Sequence, residues 1–354
     1  MRLISWLSIT AIMLILSSCK KDKPEQDVVS ATLSNGMLVL CEGLFQQNNS
    51  TVSWVNLANS TVANNLFENR VGRQLGDTGN DIQRYGNKIY IVVNASSTIE
   101  VLDATTFQSI QQIDMVNGSV AKQPRSIVFN GSNAYVSCYD GFVDVIDTST
   151  LLVTQRIQVG ANPEGMAIAN NKLYVANSGG LNFPNVDSTL SVIDLSTSTE
   201  LAKIAIGKNP SSVITDLQGE IYVINRGDYA AVPSSISRID TQNDVVISTL
   251  AINATHITSM NSNFIIANYD YNTSASNVLL FDPLNETVIN PNFISTAGIT
   301  TLYGVQYDSF RNKIYIMDAM SFTNTGYINL FNSTGSPIEK FHVGLNPNKI
   351  IFYD

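Results

Sequence analysis

NPEGMAIANNKLYVANSGGLNFPNVDSTLSVIDLSTSTELAKIAIGKNP, residues 162–210, holds one complete copy of a unit that recurs along the chain. Its short alternating or apolar runs at 165–169, 172–176, 189–194 and 200–206 are separated by Asn, Gly, Ser and Thr. This pattern predicts four short strands joined by turns in one antiparallel sheet.

Fixed points of the unit recur on both sides. Its third strand closes on Asp or Asn at Asn56, Asp103, Asp147, Asp194, Asp240, Asp282 and Asn332, seven marks spaced 42 to 50 residues apart. Its second strand is a variation on KLYVAN that ends at Cys41, Asn94, Cys138, Asn177, Asn225, Asn268 and Asp318. Asn94 falls one residue late, which predicts a bulge in that copy. Four strands repeated every 40 to 50 residues predict an all-β, seven-bladed β-propeller with four-stranded antiparallel blades.

The first copy starts at Gly36 with its second strand, and the chain ends in NKIIFYD, residues 348–354. That run fits the missing innermost strand, so the C-terminal strand is expected to close the first blade and leave no open edge. The turn leading into an innermost strand repeats as GANP at Gly160, GKNP at Gly207 and GLNP at Gly344. Glycine is expected there for its unusual backbone angles, and proline where the strand's N–H would lack a partner.

The leader divides into residues 1–18, read as an export signal because the apolar run 3–16 follows a basic start and is short for a span, and a polar tether at 19–35. The propeller takes 36–354. The end of the signal, Leu16-Ser17-Ser18-Cys19, resembles the lipobox of bacterial lipoproteins, which implies lipidation of Cys19 and attachment to a membrane without spanning it. Charged residues make up 14% of the chain and the net charge is −9, so no positive field is on offer to nucleic acid. Cys41 and Cys138 occupy equivalent places in nonadjacent blades and are expected to be half-buried free thiols.

Long connections between second and third strands, at 178–188, 226–235, 269–276 and 319–325, fall in four successive blades. They emerge on the face where the chain enters each innermost strand, and they carry Phe183, Tyr229, Tyr269, Tyr271 and Phe322. Aromatics on loops above a rigid ring suggest a ligand surface. Arg125, Glu164, Ser211, His256 and Tyr303 each stand where a blade enters its innermost strand, near the mouth of the central channel. Arg125 and Glu164 form either a structural pair between neighbouring blades or polar contacts for a ligand, and the scarcity of charge favours the ligand.

Signals for catalysis are sparse. The two histidines, His256 and His342, lie in different blades, and no Cys or His pair has metal-ligand spacing. The seven strand-three Asp and Asn marks are expected to accept hydrogen bonds from the turn that follows each. Asp77 with Asp81, and Asp228 with Asp270, are acidic pairs whose separation the sequence does not fix.

The stretch EGLFQQNNSTVSWVNLANSTV from Glu42, LGDTGNDIQRYGNKIYIVVNASSTIEVLD from Leu75, QPRSIVF at Gln123 and NPEGMAI at Asn162 resemble surface lipoprotein propellers of Bacteroidetes and the wider YVTN-type propellers. Cys41 replaces an Asn usual before Glu-Gly in that group. Within it the chain resembles the BtuG corrinoid-binding family. That resemblance implies an outer-membrane, surface-exposed lipoprotein that binds a corrinoid such as cobalamin and passes it to a TonB-dependent transporter, with no cofactor of its own. By position, the expected ligand-binding residues are Phe45, Gln46, Arg125, Tyr139, Glu164, Phe183, Arg226, Tyr229, Tyr269 and Tyr271. An adhesion or glycan-binding scaffold is the competing reading, and a propeller lyase or lactonase is the weakest because so little is present to perform the chemistry.

Overall fold

A computed structural model describes residues 29–354. The export signal, the lipidation site at Cys19 and most of the tether lie outside the described residues.

Seven four-stranded antiparallel sheets form the ring of a seven-bladed propeller. In the copy spanning residues 162–210 the strands are Pro163–Ala169, Lys172–Asn177, Thr189–Asp194 and Thr199–Ala205. The final strand Pro347–Tyr353 pairs antiparallel with Gly36–Cys41 and so completes the first blade from the far end of the chain. Blade 1 therefore comprises both termini of the ring, and blades 2 to 7 follow in chain order.

The blades are held face to face by side chains that the period-two pattern sends between sheets. Tyr90, Tyr135, Tyr174, Tyr222 and Tyr315, the aromatic of KLYVAN and its variants, are all fully buried. Tyr174 packs with Leu190 and Val192 of its own blade against Ile221, Val223 and Ile239 of the next. Its hydroxyl donates to Asp244 Oδ1 at 2.6 Å, and that of Tyr222 to the Pro283 carbonyl at 2.9 Å, so the polar tip crosses to the next blade while the ring stays in the core.

All seven strand-three marks accept backbone N–H groups from their turns. Asp147 Oδ1 takes Ser149 and Thr150 at 2.9 and 2.7 Å, and Asn332 Oδ1 takes Thr334 and Ser336 at 3.0 and 2.8 Å. Asn56, Asp103, Asp194, Asp240 and Asp282 do the same. Side-chain hydrogen bonds from Ser196, Asn243 and Asn285 to Asp194, Asp240 and Asp282, and the backbone N–H bonds of all five turns, hold the carboxyls of Asp103, Asp147, Asp194, Asp240 and Asp282 below the ordinary range.

The readings of the entry turns and of the two thiols need correction. Gly160 and Gly207 are small because of contact, not angle: a Cβ would come within 2.4 Å of Asn177 and 2.6 Å of Asn225. The left-handed residue of each turn is instead the asparagine, with φ of 46° at Asn162, 54° at Asn209 and 55° at Asn346. Blade 2 does carry register shifts, between Gly79 and Asp81 and between Val101 and Leu102, but its second strand pairs with the third without one and Asn94 lies beyond the strand end. Cys41 and Cys138 are fully buried, and burial pushes the Cys41 thiol up to about 12. The connection 63–77 contains the short helix Leu66–Val71, which buries Leu66 and Phe67 while Arg70 reaches the carbonyls of Ala31 and Thr106 at 3.0 and 2.6 Å.

Candidate functional site

Six of the seven innermost strands slip register at the same end. The shifts fall between Gly79 and Asp81, Pro124 and Ser126, Pro163 and Met166, Pro210 and Val213, Leu302 and Gly304, and in blade 1 opposite Leu40 and Cys41. A bulge re-aims the extra residue. Asn80, Arg125, Glu164, Ser211, Tyr303 and Asn348 stand at these slips and line the mouth of the central channel, a cavity of about 480 Å³. His256 takes the seventh place on a strand that pairs without a slip.

One arc of this ring is stitched together. Asn348 Nδ2 of blade 1 donates to the Gly79 carbonyl at 2.9 Å, and Asn80 Nδ2 of blade 2 to the Arg125 carbonyl at 2.6 Å. The Arg125 guanidinium donates back to Asn80 Oδ1 and forward to Glu164, through Nε to Oε2 at 3.0 Å and Nη2 to Oε1 at 3.2 Å. The Tyr139 hydroxyl also donates to Glu164 Oε1, and its ring lies 4.6 Å beneath the guanidinium. Burial works against the Arg125 charge, but the Glu164 carboxylate offsets it and raises the guanidinium's hold on its proton. From blade 7, the Tyr303 hydroxyl donates to Glu42 Oε2 at 2.5 Å; burial pushes the Glu42 carboxyl above the usual carboxylate range.

The opposite arc, blades 5 and 6, is left open. Ser211 bonds only weakly within its own blade, 3.4 Å from the Ile224 carbonyl, and His256 has Tyr303 as an aromatic neighbour at 6.2 Å. Burial, with the charges of Arg226 and Lys349, pushes the His256 imidazole down to about 3, so it is neutral at physiological pH. A second cavity of about 510 Å³ opens beside this arc, and it shares Arg226 and Tyr271 with the channel mouth. Its wall includes Tyr229, Tyr269, Ala254, Val232 and Pro233. Tyr269 and Tyr271 meet edge to face at 5.1 Å, and Phe322 lies parallel to Tyr271 at 6.3 Å and edge-on to Tyr303 at 5.2 Å.

The loops that carry these groups are braced from within. Asp228 Oδ1 accepts the Ala230 and Val232 N–H groups at 3.1 and 2.8 Å, and Asp270 Oδ1 accepts Asn272 at 2.8 Å. Asp77 takes the N–H groups of Gln46 and Asn48 at 3.1 Å, while Asp81 is buried and accepts from Ile82 and Ile127. Both acidic pairs singled out in the sequence therefore serve loop and strand structure. Among the described residues no three of His, Cys, Asp and Glu are grouped to hold a metal ion.

Of the ten expected ligand residues, the structure brings Arg226, Tyr229, Tyr269 and Tyr271 to one wall, and Arg125, Glu164 and Tyr139 into a mutual network between adjacent blades beside the channel mouth. Phe183 stands above Tyr229 at 6.5 Å, exposed. Phe45 and Gln46 line neither cavity; the Asp77 clamp holds their loop at the rim, with Phe45 66% exposed. Reading by position missed Asn80, Asn348 and Lys349 on the innermost strands, and Glu42 as a wall of the channel.

A family model described as a domain of unknown function, DUF5074, matches residues 35–352. A comparison with curated proteins found no match. Solved structures match in large numbers, 1538 chains, as expected of a fold that hosts many activities. One of them, hydrazine synthase of Kuenenia stuttgartiensis, superposes with a TM-score of 0.61 over 74% of this chain and 85% of its own, at 16% identity. At that identity the likeness speaks for the fold alone.

Proposed function

The chain belongs to the DUF5074 family, a domain of unknown function, and we propose that it is a binding propeller that takes up a small ligand on its loop face without transforming it. The observation that carries this reading is the aromatic-walled cavity beside the channel mouth, joined to it through Arg226 and Tyr271. Ligand sites are concave, largely apolar and furnished with a few fixed polar groups. Loops already braced by Asp228 and Asp270 lose less entropy on binding.

Within this class a corrinoid is the ligand we favour, handed on to a TonB-dependent transporter by a lipoprotein anchored at Cys19 on the outer membrane. Two adjoining cavities suit a large flat molecule fringed with amides, which would meet the Tyr229 and Tyr271 rings and the polar channel ring. Calorimetric titration of the full chain with cyanocobalamin tests the proposal. Saturable one-to-one binding, weakened at least tenfold by Tyr229→Ala and by Tyr271→Ala with melting unchanged, is the expected result. Absence of heat and of any melting shift would remove the corrinoid. A scaffold that docks a protein or glycan is the second reading, favoured by the exposed rim of Phe45, Leu181 and Phe183, which are 66%, 64% and 57% exposed.

A further inference from the structure

Buried charges are ordinarily answered by a partner, and this fold answers most of them. Arg73 meets Glu100, Lys122 and Arg156 meet Asp144, and Arg125 meets Glu164, at 2.6 to 3.0 Å. Arg226, which follows the second strand of blade 5, forms no such pair among the described residues. The nearby Glu164 has its oxygens engaged by Arg125 and Tyr139, and Glu42 bonds to Tyr303. The Nε atom of Arg226 is buried and has no hydrogen-bond partner. Lys349, on the innermost strand of blade 1, lines the same cavity and likewise has no carboxylate within ion-pair distance. Burial opposes the Arg226 charge while Tyr229 and Glu164 favour it, but no carboxylate among the described residues closes on it in an ion pair, and its buried Nε–H is left for an acceptor to complete.

We propose that Arg226 anchors an anion subsite, so that the ligand of the loop face carries a carboxylate or phosphate group that seats on Arg226 while its flat body lies along Tyr229 and Tyr271. The proposal rests on the reading of this face as a ligand site and names the chemistry it selects. A planar guanidinium presents two parallel N–H groups to either anion, which a lone ammonium does not. Its place where the two cavities meet puts the charged group at the channel mouth and the apolar body against the aromatic wall. His256, neutral at physiological pH, and Ser211 stand in the same cavity as further hydrogen-bonding groups that add no charge.

The test titrates the full chain with phenyl phosphate, benzoate and phenol, three probes that share a ring and differ in charge. At least one charged probe is expected to bind ten or more times tighter than phenol and to lose that advantage in Arg226→Gln, with phenol unaffected; Arg226→Lys should keep part of it. The better of the two anions distinguishes phosphate from carboxylate ligands. Phenol binding as tightly as both anions, or anions binding Arg226→Gln as they bind the wild type, overturns the subsite and leaves the face a binding site. Failure of all three probes to bind the wild type overturns the subsite and the ligand reading together. If Arg226→Gln does not fold, the wild-type ranking and Arg226→Lys decide.

Discussion

Replacing Glu164 with Gln changes one atom and removes the charge that holds blade 3 to blade 4. Glu164 accepts two hydrogen bonds from Arg125 and one from Tyr139, and the side chains of the ion pair are 15% and 18% exposed. Exposed pairs contribute about 0–1 kcal/mol, whereas removing one partner of a buried pair costs about 3–5 kcal/mol. With Asn80 remaining as an acceptor for Arg125, we expect a cost of about 2–4 kcal/mol. An unfolding entropy of about 2.1 cal/mol/K per residue over roughly 320 residues makes 1 kcal/mol about 1.5 °C, so Tm should fall by about 3–6 °C. Scanning calorimetry of Glu164→Gln, Arg125→Met and the double variant gives the coupling directly. The double variant should melt no lower than the worse single one. Additive losses, or a Glu164→Gln protein that melts within about 1 °C of the wild type, would refute the pair as a structural clasp.

Arg226→Met should abolish the anion preference with little change in stability, because burial opposes the guanidinium charge while Tyr229 and Glu164 support it. A lower Tm would show that the guanidinium is already satisfied. Gly207→Ala drives a Cβ within 2.6 Å of Asn225, whose Nδ2 is tied to Ser235 and Ser237 at 3.2 and 2.9 Å, and overpacking of this kind costs about 1–3 kcal/mol. Chemical denaturation measures it, and an unchanged midpoint would mean that Asn225 yields. The depressed carboxyls of Asp103, Asp147, Asp194, Asp240 and Asp282 have folded pKa values below their unfolded ones. Their stabilisation is therefore full above about pH 4 and lost as pH falls through the folded values, so Tm should hold from about pH 8 to 5 and decline below about 4. A profile that stays level to pH 2 would contradict the turn bonds.

What a repeat makes legible is position within the blade. The strand-three marks announced seven turns because each turn needs an acceptor at the same place, and the KLYVAN aromatic announced the inter-blade core for the same reason. Arg125 and Glu164 were found by counting from the turn that enters a blade, and the same count reaches Asn80 and Asn348, which pass for turn residues because asparagine fills so many turns here. A second ring was also within reach. The residue after each second strand is Glu42 in blade 1, Tyr139 in blade 3 and Arg226 in blade 5, so the register that selects Tyr139 and Arg226 selects Glu42 as well. Phe45, expected by position like the others, lines neither cavity and lies exposed at the rim.

Periodicity cannot say who pairs with whom across the ring. Three cations and three carboxyls line the channel mouth, and the sequence permits Glu164 to answer Arg125 or Arg226. The bulges at Pro124 and Pro163 bring Arg125 and Glu164 together on adjacent innermost strands, and Tyr139 supplies a further bond to the same carboxylate. That choice spends Glu164 on the clasp and leaves Arg226 over. The binding chemistry proposed here follows from that remainder: the same charges with Glu164 turned toward Arg226 would give a closed ring with nothing to offer an anion. Exchanging the positions tests this, since Arg125→Met frees Glu164 for Arg226 and should abolish the preference for phenyl phosphate or benzoate over phenol without touching Arg226 itself. If the preference survives with Arg125 gone, the selectivity of the face does not depend on how the channel pairs its charges.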